Sequence, residues 1–516
     1  MLRGIGHGWR LLGDARRLAR HGALRPFETH PDVPAFARFG ARLLRFGSGA
    51  PQVPDLAGGL KACGPAAVKL GQALATRPDL VGVAAAEDLK RLQDDLPPAP
   101  WATIERELDS VFAGGWRAHL AEISRTPAGA ASIAQVHRAV TKDGRPIALK
   151  LLRPGVEQAF AEALSSYAWA AARVERLGGE FARLKPRVVI ETFRQWTNAE
   201  LDLRREGGNA SELADAVRGE PGIRVPEVVW ELTTRRTLAL EWIDGCKLTD
   251  LAAVEASGAD RRVLASTLVR GFLAQAIGNG FFHADLHQGN ILLADNGQLV
   301  LIDFGIMGRL DRRARVYLAE ILYGLITGNY RRVADIHFEA GYVPAYHDPG
   351  AFATALRAVG EPIRGRQTRD ISVANLLDGL FSITRQFDMP VQPHLLLLQK
   401  TMVMVEGVAL SLDPDVNMWD VAAPYVKGWI RDELGPEAKA ADGLVANIRL
   451  LRRLPELAQR FVRQLPAESA APPGVPVPAL APEPVMGVVV QRGSRSAWLI
   501  LGAAVGVGAT LLAQAL

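Results

Sequence analysis

The sequence predicts an α+β chain in two lobes, one small and strand-rich, the other larger and helical. Three observations carry that prediction. Short apolar runs separated by turn residues cluster between 133 and 152 and again between 225 and 245. Helical periodicity dominates residues 23 to about 126 and 311 to about 465. Near the start of the second lobe stands His283-Ala284-Asp285-Leu286-His287-Gln288-Gly289-Asn290, followed after a short hairpin by Asp303-Phe304-Gly305.

That last run has the chemistry of a phosphoryl-transfer loop. An Asp five residues before an Asn can place a carboxylate at the nucleophile and an amide oxygen at Mg²⁺, so Asp285 is the candidate base and Asn290 a candidate metal ligand. Asp303, beyond the hairpin, completes the metal site. Ile291-Leu292-Leu293 and Leu299-Val300-Leu301-Ile302 flank Asp295-Asn296-Gly297, a good hairpin turn. Asp-Phe-Gly alone is a common tripeptide, but loop, hairpin and Asp-Phe-Gly in this order are specific. The predicted architecture is therefore a bilobal protein-kinase-like fold with a helical N-terminal extension and a C-terminal transmembrane helix.

Composition bounds the rest. A chain of 516 residues holds two or three domains and a sizeable core. Sixty Lys and Arg against 55 Asp and Glu leave +5, too mild for a nucleic-acid-binding stripe and enough only for a weak pull toward anionic membrane. Cys63 and Cys246 lie far apart and suggest buried thiols in a reducing compartment rather than a disulfide framework.

In order along the chain, residues 1–126 form the helical extension. Arg3, Arg10, Arg16, Arg17 and Arg20, without a long apolar run, do not make a secretory signal. With Leu2, Ile5, Trp9 and Leu12 on one side they make a basic amphipathic helix, a pattern an organellar presequence would share. Further on, Lys69-Leu70-Gly71-Gln72 lies in a helix that Pro78 stops, with Lys69 and Gln72 on one face. Taken alone, that face reads as solvated. Leu92 to Pro98 closes a second helix on prolines.

Residues 127–245 read as the small lobe. Pro127 followed by Ala128, Gly129, Ala130, Ala131 and Ser132 is a small-residue loop whose backbone N–H groups can approach phosphate closely. Ile133 to Val140 is a strand, Lys142-Asp143-Gly144 its turn, and Pro146 to Leu152 the returning strand. Lys150, ending Ile-Ala-Leu-Lys, fits the strand lysine that pairs phosphates and a helix glutamate. The helical stretch from Pro154 to about Ala216 must supply that glutamate. Glu200 and Glu206 are about 240° apart on a helix, so one can face Lys150 and the other must face something else. Val225 to Trp230 and Thr237 to Gly245 are read as the remaining strands, with Glu241 to Ile243 the hinge whose backbone would bind adenine.

Residues 246–465 form the helical lobe. A buried helix from Leu264 to Gly280 leads into the loop, and Asp311 opens a helix so soon after Phe304 that no long activation loop is evident. Residues 466–496 read as a Pro-rich linker, and Ala-Pro-Glu at 481–483 falls there, too late to anchor an activation segment. Residues 497–516 carry only Thr510 and Gln514 as polar side chains, long enough to span roughly 30 Å of hydrocarbon. Arg492 and Arg495 flank this run, Trp498 suits the interface, and Gly502 with Gly506 makes a small-residue face.

Over residues 30–430 these motifs resemble the UbiB/ABC1/ADCK atypical kinase family. Lys69-Leu70-Gly71-Gln72 matches its KxGQ motif, Pro127 to His137 its alanine-rich loop, Glu200-Leu201-Asp202 its ExD motif and His283 to Asn290 its HxDxHxxN loop. KxGQ and ExD are essentially private to that family. The resemblance implies that Glu206 is the glutamate paired with Lys150. It also implies that Glu200 and Asp202 engage Lys69 and Gln72 as a regulatory clamp where a protein substrate would lie. It implies ATP and Mg²⁺ as cofactors, and ATPase-like activity stimulated by membrane lipid and polyprenylated phenol or quinone intermediates, with protein-kinase activity in trans inhibited. A role beside ubiquinone-biosynthesis enzymes at the inner membrane follows, with a single-pass C-terminal anchor, a cytoplasmic catalytic domain and a homodimer left open. Two departures stand out: Gly129 replaces the family's usual Ala and Ala128 a larger aliphatic, which would partly relax the loop's nucleotide preference, and one C-terminal span stands where bacterial relatives often carry two. Two other classes compete. One is a nucleotide-switched scaffold or lipid-presenting chaperone. The other is a small-molecule kinase of the aminoglycoside-phosphotransferase type, which lacks the Lys69 and Gln72 segment.

Overall fold

A computed structural model of the chain describes residues 2–25, 28, 35–47, 49, 51–75, 83–92, 97–176, 185–364, 379, 382–390 and 392–434. The expected linker at 466–496, the apolar run at 497–516 and the helix stop at Pro78 lie outside the described residues. Two units divide the described residues: Met1–Ser211 with Pro226–Ile243, and Glu212–Val225 with the described residues from Asp244 on.

The first unit opens with short helices: α1 (Leu2–Arg20), α2 (Ala35–Arg45), α3 (Leu56–Cys63), α4 (Pro65–Ala75) and α5 (Val83–Lys90). Asp55 caps α3 by accepting the Gly58 N–H at 3.0 Å. Leu18, Leu24, Leu60, Val68, Leu89 and Leu92 close a core among these helices. Gly71 of α4 makes that closeness possible, since a methyl there would collide with Leu92 and come within 2.7 Å of Leu60.

After α6 (Trp101–Val111) the chain forms β1 (Leu120–Ile123), β2 (Gly129–Ala130), β3 (Ala134–Thr141) and β4 (Pro146–Leu152), then α7 (Val156–Arg176), α8 (Pro186–Glu200) and α9 (Leu203–Val217). The expectation that residues up to 126 are helical fails at β1, whose Leu120 and Ile123 bury themselves with Ile104 and Leu108 of α6. α1 is tied to α7 by Arg10 to Glu162 at 2.5 Å and by His7 to Ser166 at 3.1 Å.

β5 (Ile223–Arg224) belongs to the second unit, and β6 (Thr237–Glu241) completes the first unit's sheet in the order β1-β3-β4-β6, with β2 on β3. Val225 to Trp230, read as a strand from sequence, makes one bridge, Val228 to Leu240, before a 3₁₀ turn at Trp230–Leu232. Pro226 has no N–H for a ladder there. The strand expected from Thr237 to Gly245 is likewise cut at Glu241. Gly245 instead begins β7 (Gly245–Lys247), pressed so close to the strand at Ile291–Ala294 that a Cβ would stand 2.8 Å from the Ala294 Cα.

The second unit continues with α10 (Leu251–Ala256), α11 (Arg261–Leu273), β8 (Phe281–His283), β9 (Ile291–Ala294), β10 (Leu299–Leu301) and β11 (Met307–Arg309). One sheet runs β5-β10-β9-β7 and a second pairs β8 with β11. The turn at Asp295-Asn296-Gly297 joins β9 to β10 as expected, with Gly297 at φ 80°. β11 was not legible in the sequence; it lies where the chain was expected only to close toward Asp311. That Asp does open a helix, accepting the Ala314 N–H at 2.7 Å. Helices that follow include α12 (Arg312–Thr327), α13 (Tyr330–Glu339), α14 (Pro349–Arg364), α15 (Pro393–Leu412) and α16 (Met418–Leu434).

The stretch Leu395–Leu412 of α15 is long and apolar enough to cross a membrane by length and composition. It is not the run at 497–516, and Leu398, Val405, Val408, Ala409 and Leu412 are buried while α15 packs along α11.

Candidate functional site

In the first unit, Leu149 and Leu151 of β4 enter the core, so the pleat turns Lys150 to the other face. There its Nζ lies 2.6 Å from Glu206 Oε1, with the two side chains only 16% and 10% exposed. Glu206 sits in the first turn of α9, where the helix dipole favours a carboxylate. Gly207 lets that turn approach β6, because a Cβ there would already stand 3.2 Å from Leu238. The choice between the two acids is thus made by geometry. Glu200, at the end of α8, forms an ion pair with Lys69 of α4.

The other two clamp residues point elsewhere. Gln72 donates to the Leu92 carbonyl at 2.9 Å. Asp202 accepts from Arg204 at 2.7 and 2.9 Å, and that hydrogen-bonded guanidinium holds its carboxyl below the usual range.

The small-residue loop folds as a tight hairpin on β3. The N–H groups of Ala128 and Ala131 donate to Val136 and Ala134 at 2.8 Å each, Ala130 pairs with Gln135, and Ser132 is buried. At Gly129 a Cβ would meet nothing within 4 Å, so packing does not demand glycine there. At the expected hinge, the N–H of Glu241 is engaged by Glu227 at 2.8 Å and that of Trp242 by Pro146 at 3.2 Å. Ile243 is half-buried just beyond them.

In the second unit a π-helical turn at Ala274–Asn279 carries Gln275, whose Oε1 accepts the His283 N–H at 3.0 Å. His283 is fully buried. Its Nδ1 accepts the Asp285 N–H at 3.1 Å, so its hydrogen sits on Nε2, which donates to the Ile302 carbonyl at 3.3 Å. Burial pushes its imidazolium form down, in keeping with this neutral tautomer, and Phe304 packs edge-on at 6.0 Å. The ring therefore staples the loop before Asp285 to the strand before Asp303.

Asn290 donates its amide to the Asp285 carbonyl at 3.0 Å, and its own carbonyl receives the Ile302 N–H at 2.9 Å. With the amide nitrogen committed, the Asn290 Oδ1 is left as the acceptor. Asp303 adopts φ 63°, a left-handed conformation rare outside glycine, while its Oδ1 takes the Gly305 N–H at 3.1 Å. An Asn oxygen and one carboxylate suit Mg²⁺, which relies on one or two carboxylates plus substrate phosphates. Among the described residues there is no cluster of three His, Cys, Asp or Glu able to hold a metal by itself.

Asp285 has two further neighbours. His287 Nε2 lies 3.8 Å from its Oδ2, and Lys400 Nζ, from α15, lies 3.5 Å from its Oδ1. Lys400 was not singled out from sequence. The signal available was a cation inside the apolar window Leu395–Leu412, where it and Glu406 are the only charged side chains.

The family model described as the ABC1 atypical kinase-like domain matches residues 91–337, and that of the UbiB helical domain matches 356–417. A protein from Cellvibrio japonicus named "Probable protein kinase UbiB" is 38% identical over 379 residues, 73% of this chain and 69% of that protein. One of the same name from Marinobacter nauticus is 37% identical over 409 residues, 78% and 74% respectively. A solved Rv3197–erythromycin complex from Mycobacterium tuberculosis is 26% identical, covering 68% of this chain and 90% of that one with a TM-score of 0.48. On the strength of the two curated relatives and both family models, the chain belongs to the UbiB/ABC1 family and is an atypical kinase-like phosphotransferase.

Proposed function

We propose that this chain is a membrane-anchored enzyme of ubiquinone biosynthesis that binds Mg-ATP and couples its turnover to modification of polyprenylated phenolic quinone precursors. The observation that carries the reading is the loop geometry: Asn290 bonded through its amide to the Asp285 carbonyl, with the buried neutral His283 fixing the same backbone. Asn290 and Asp303 would hold Mg²⁺, which would neutralise the negative charge of the phosphates. Lys150, oriented by Glu206, would bind the α- and β-phosphates, and Asp285 would orient the acceptor hydroxyl or water. The small-residue loop from Ala128 to Ser132 would cover the nucleotide, with the Glu241–Ile243 segment at adenine. The Lys69–Glu200 pair supports a regulatory clamp that keeps a protein substrate away. The run at 497–516, with Arg492, Arg495 and Trp498 beside it, would hold the catalytic part on the cytoplasmic side of the inner membrane.

Quinone-intermediate profiling of a deletion strain tests this reading. Complementation with the wild-type chain should restore the quinone, and Asp285→Asn should leave polyprenylated phenolic intermediates to accumulate. Full complementation by Asp285→Asn would contradict the enzyme and favour a nucleotide-switched scaffold.

A further inference from the structure

We propose that Lys400 is the positioning residue for Asp285, and that α15 is a strap that sets the catalytic loop from outside the kinase-like domain. The inference rests on the Mg-ATP reading above and deepens it. Both oxygens of Asp285 face a donor. Lys400 Nζ stands 3.5 Å from Oδ1. His287 accepts the Gly289 N–H on its Nδ1 at 3.0 Å, so its hydrogen is on Nε2, 3.8 Å from Oδ2. Those distances are long for hydrogen bonds, so the Lys400 charge and the His287 N–H dipole steer the carboxylate while leaving its lone pairs for an acceptor.

α15 grips the same loop a second time. Gln288 donates to the Ser411 Oγ at 2.7 Å, and that hydroxyl in turn donates to the Val408 carbonyl at 2.7 Å. Eleven helical steps separate Lys400 from Ser411, about 1100° of rotation, so they fall within about 20° of one stripe and roughly 16 Å apart along the axis. The strap is itself fixed. Arg261 of α11 donates to the Ser411 carbonyl at 2.7 Å, Arg262 lies 3.6 Å from Asp413, and Val405, Val408, Ala409 and Leu412 are buried. Thr401, the neighbour of Lys400, is fully buried and bonds the Leu397 carbonyl, which holds the helix turn under the lysine. The catalytic loop lies within residues 91–337 and both grips within 356–417, so the helical segment supplies a charge next to Asp285.

The test compares the full-length wild type with Lys400→Met, Lys400→Arg, Asp285→Asn and the Asp285→Asn/Lys400→Met double variant, by Mg-ATP turnover and nucleotide affinity. Lys400→Met should lower kcat about tenfold to a hundredfold with KM for Mg-ATP changed less than about threefold, as expected for a misplaced rather than missing group. Lys400→Arg should restore most of kcat, and Lys400→Met should add nothing in the Asp285→Asn background. The Lys400 side chain is 42% exposed, so these variants should keep the wild-type melting temperature. Should Lys400→Met unfold, Lys400→Arg still decides: a folded Arg variant without turnover overturns the proposal. Unchanged kcat in Lys400→Met, or a multiplicative loss in the double variant, overturns it as well. A wild type that fails to turn over Mg-ATP overturns the underlying reading and this inference together, whereas an active wild type with an equally active Lys400→Met overturns the inference alone.

Discussion

His137, which is buried, and His337, which is half-buried, share the neutral state of His283, each bonded through one ring nitrogen to a backbone carbonyl, Ser124 for the first and Val333 for the second, at 2.7 Å each. Burial pushes the imidazolium form of both downward. In the unfolded chain each takes up a proton near pH 6.5, while the folded chain resists until lower pH. The unfolded state therefore binds more protons in that window, and stability rises with pH through it. The unfolding free energy from urea titration, and with it the midpoint, is expected to fall as pH drops from 7 to 5.5, the free energy by up to about 1.4 kcal/mol per pH unit for each histidine. A midpoint flat over that range would contradict the assignment. Residue chemistry was legible unevenly. Asp285, Asn290, Asp303 and Lys150 announce themselves by type and spacing, because the loop supplies its own geometry. Glu200 and Glu206 did not separate on spacing alone, since a helix break at Leu201–Asp202 lies between them and resets the rotation. Lys400 was hidden because its meaning depends on an element remote in sequence, and on its own a cation in an apolar helix reads as a snorkelling side chain.

Helices and hairpins followed their local signals where those signals were strong. The Asp295-Asn296-Gly297 turn, the Asp311 cap and the long helices were all readable, because caps and left-handed glycines act within a few residues. Short strands were not. β1, β5, β7 and β11 are two to four residues long, too few for alternation to show, and they exist because partners elsewhere offer a ladder. Val225 to Trp230 shows the converse, with strand-like composition that yields one bridge beside a proline lacking an N–H. The KxGQ segment has its own element-level test. Gly71 stands against Leu60 and Leu92 with no room for a methyl. Gly71→Ala should lower stability by about 1–3 kcal/mol through overpacking, despite the better helix propensity of alanine. Thermal melts of the two chains check this, and an unchanged or raised melting temperature would mean the core yields.

For the molecule as a whole, the order of the motifs carried more information than any one of them. The succession of small-residue loop, strand lysine, helix acids, catalytic loop and Asp-Phe-Gly specified the kinase-like plan and the family, which the matched domains and relatives share. The resemblance already implied Glu206 for Lys150 and Glu200 for Lys69, but not that Gln72 and Asp202 bond elsewhere, nor that a helix of the UbiB helical segment reaches Asp285. The central claim is that Asp303 and Asn290 hold the metal while Asp285 serves the acceptor. Calorimetric titration of Mg-ATP into the full-length wild type, Asp285→Asn and Asp303→Asn, paired with turnover of each, tests it most directly. Asp303→Asn is expected to lose Mg-nucleotide affinity and Asp285→Asn to keep it while losing turnover by several kcal/mol of transition-state stabilisation. Equal Mg-ATP affinity in wild type and Asp303→Asn would contradict the account.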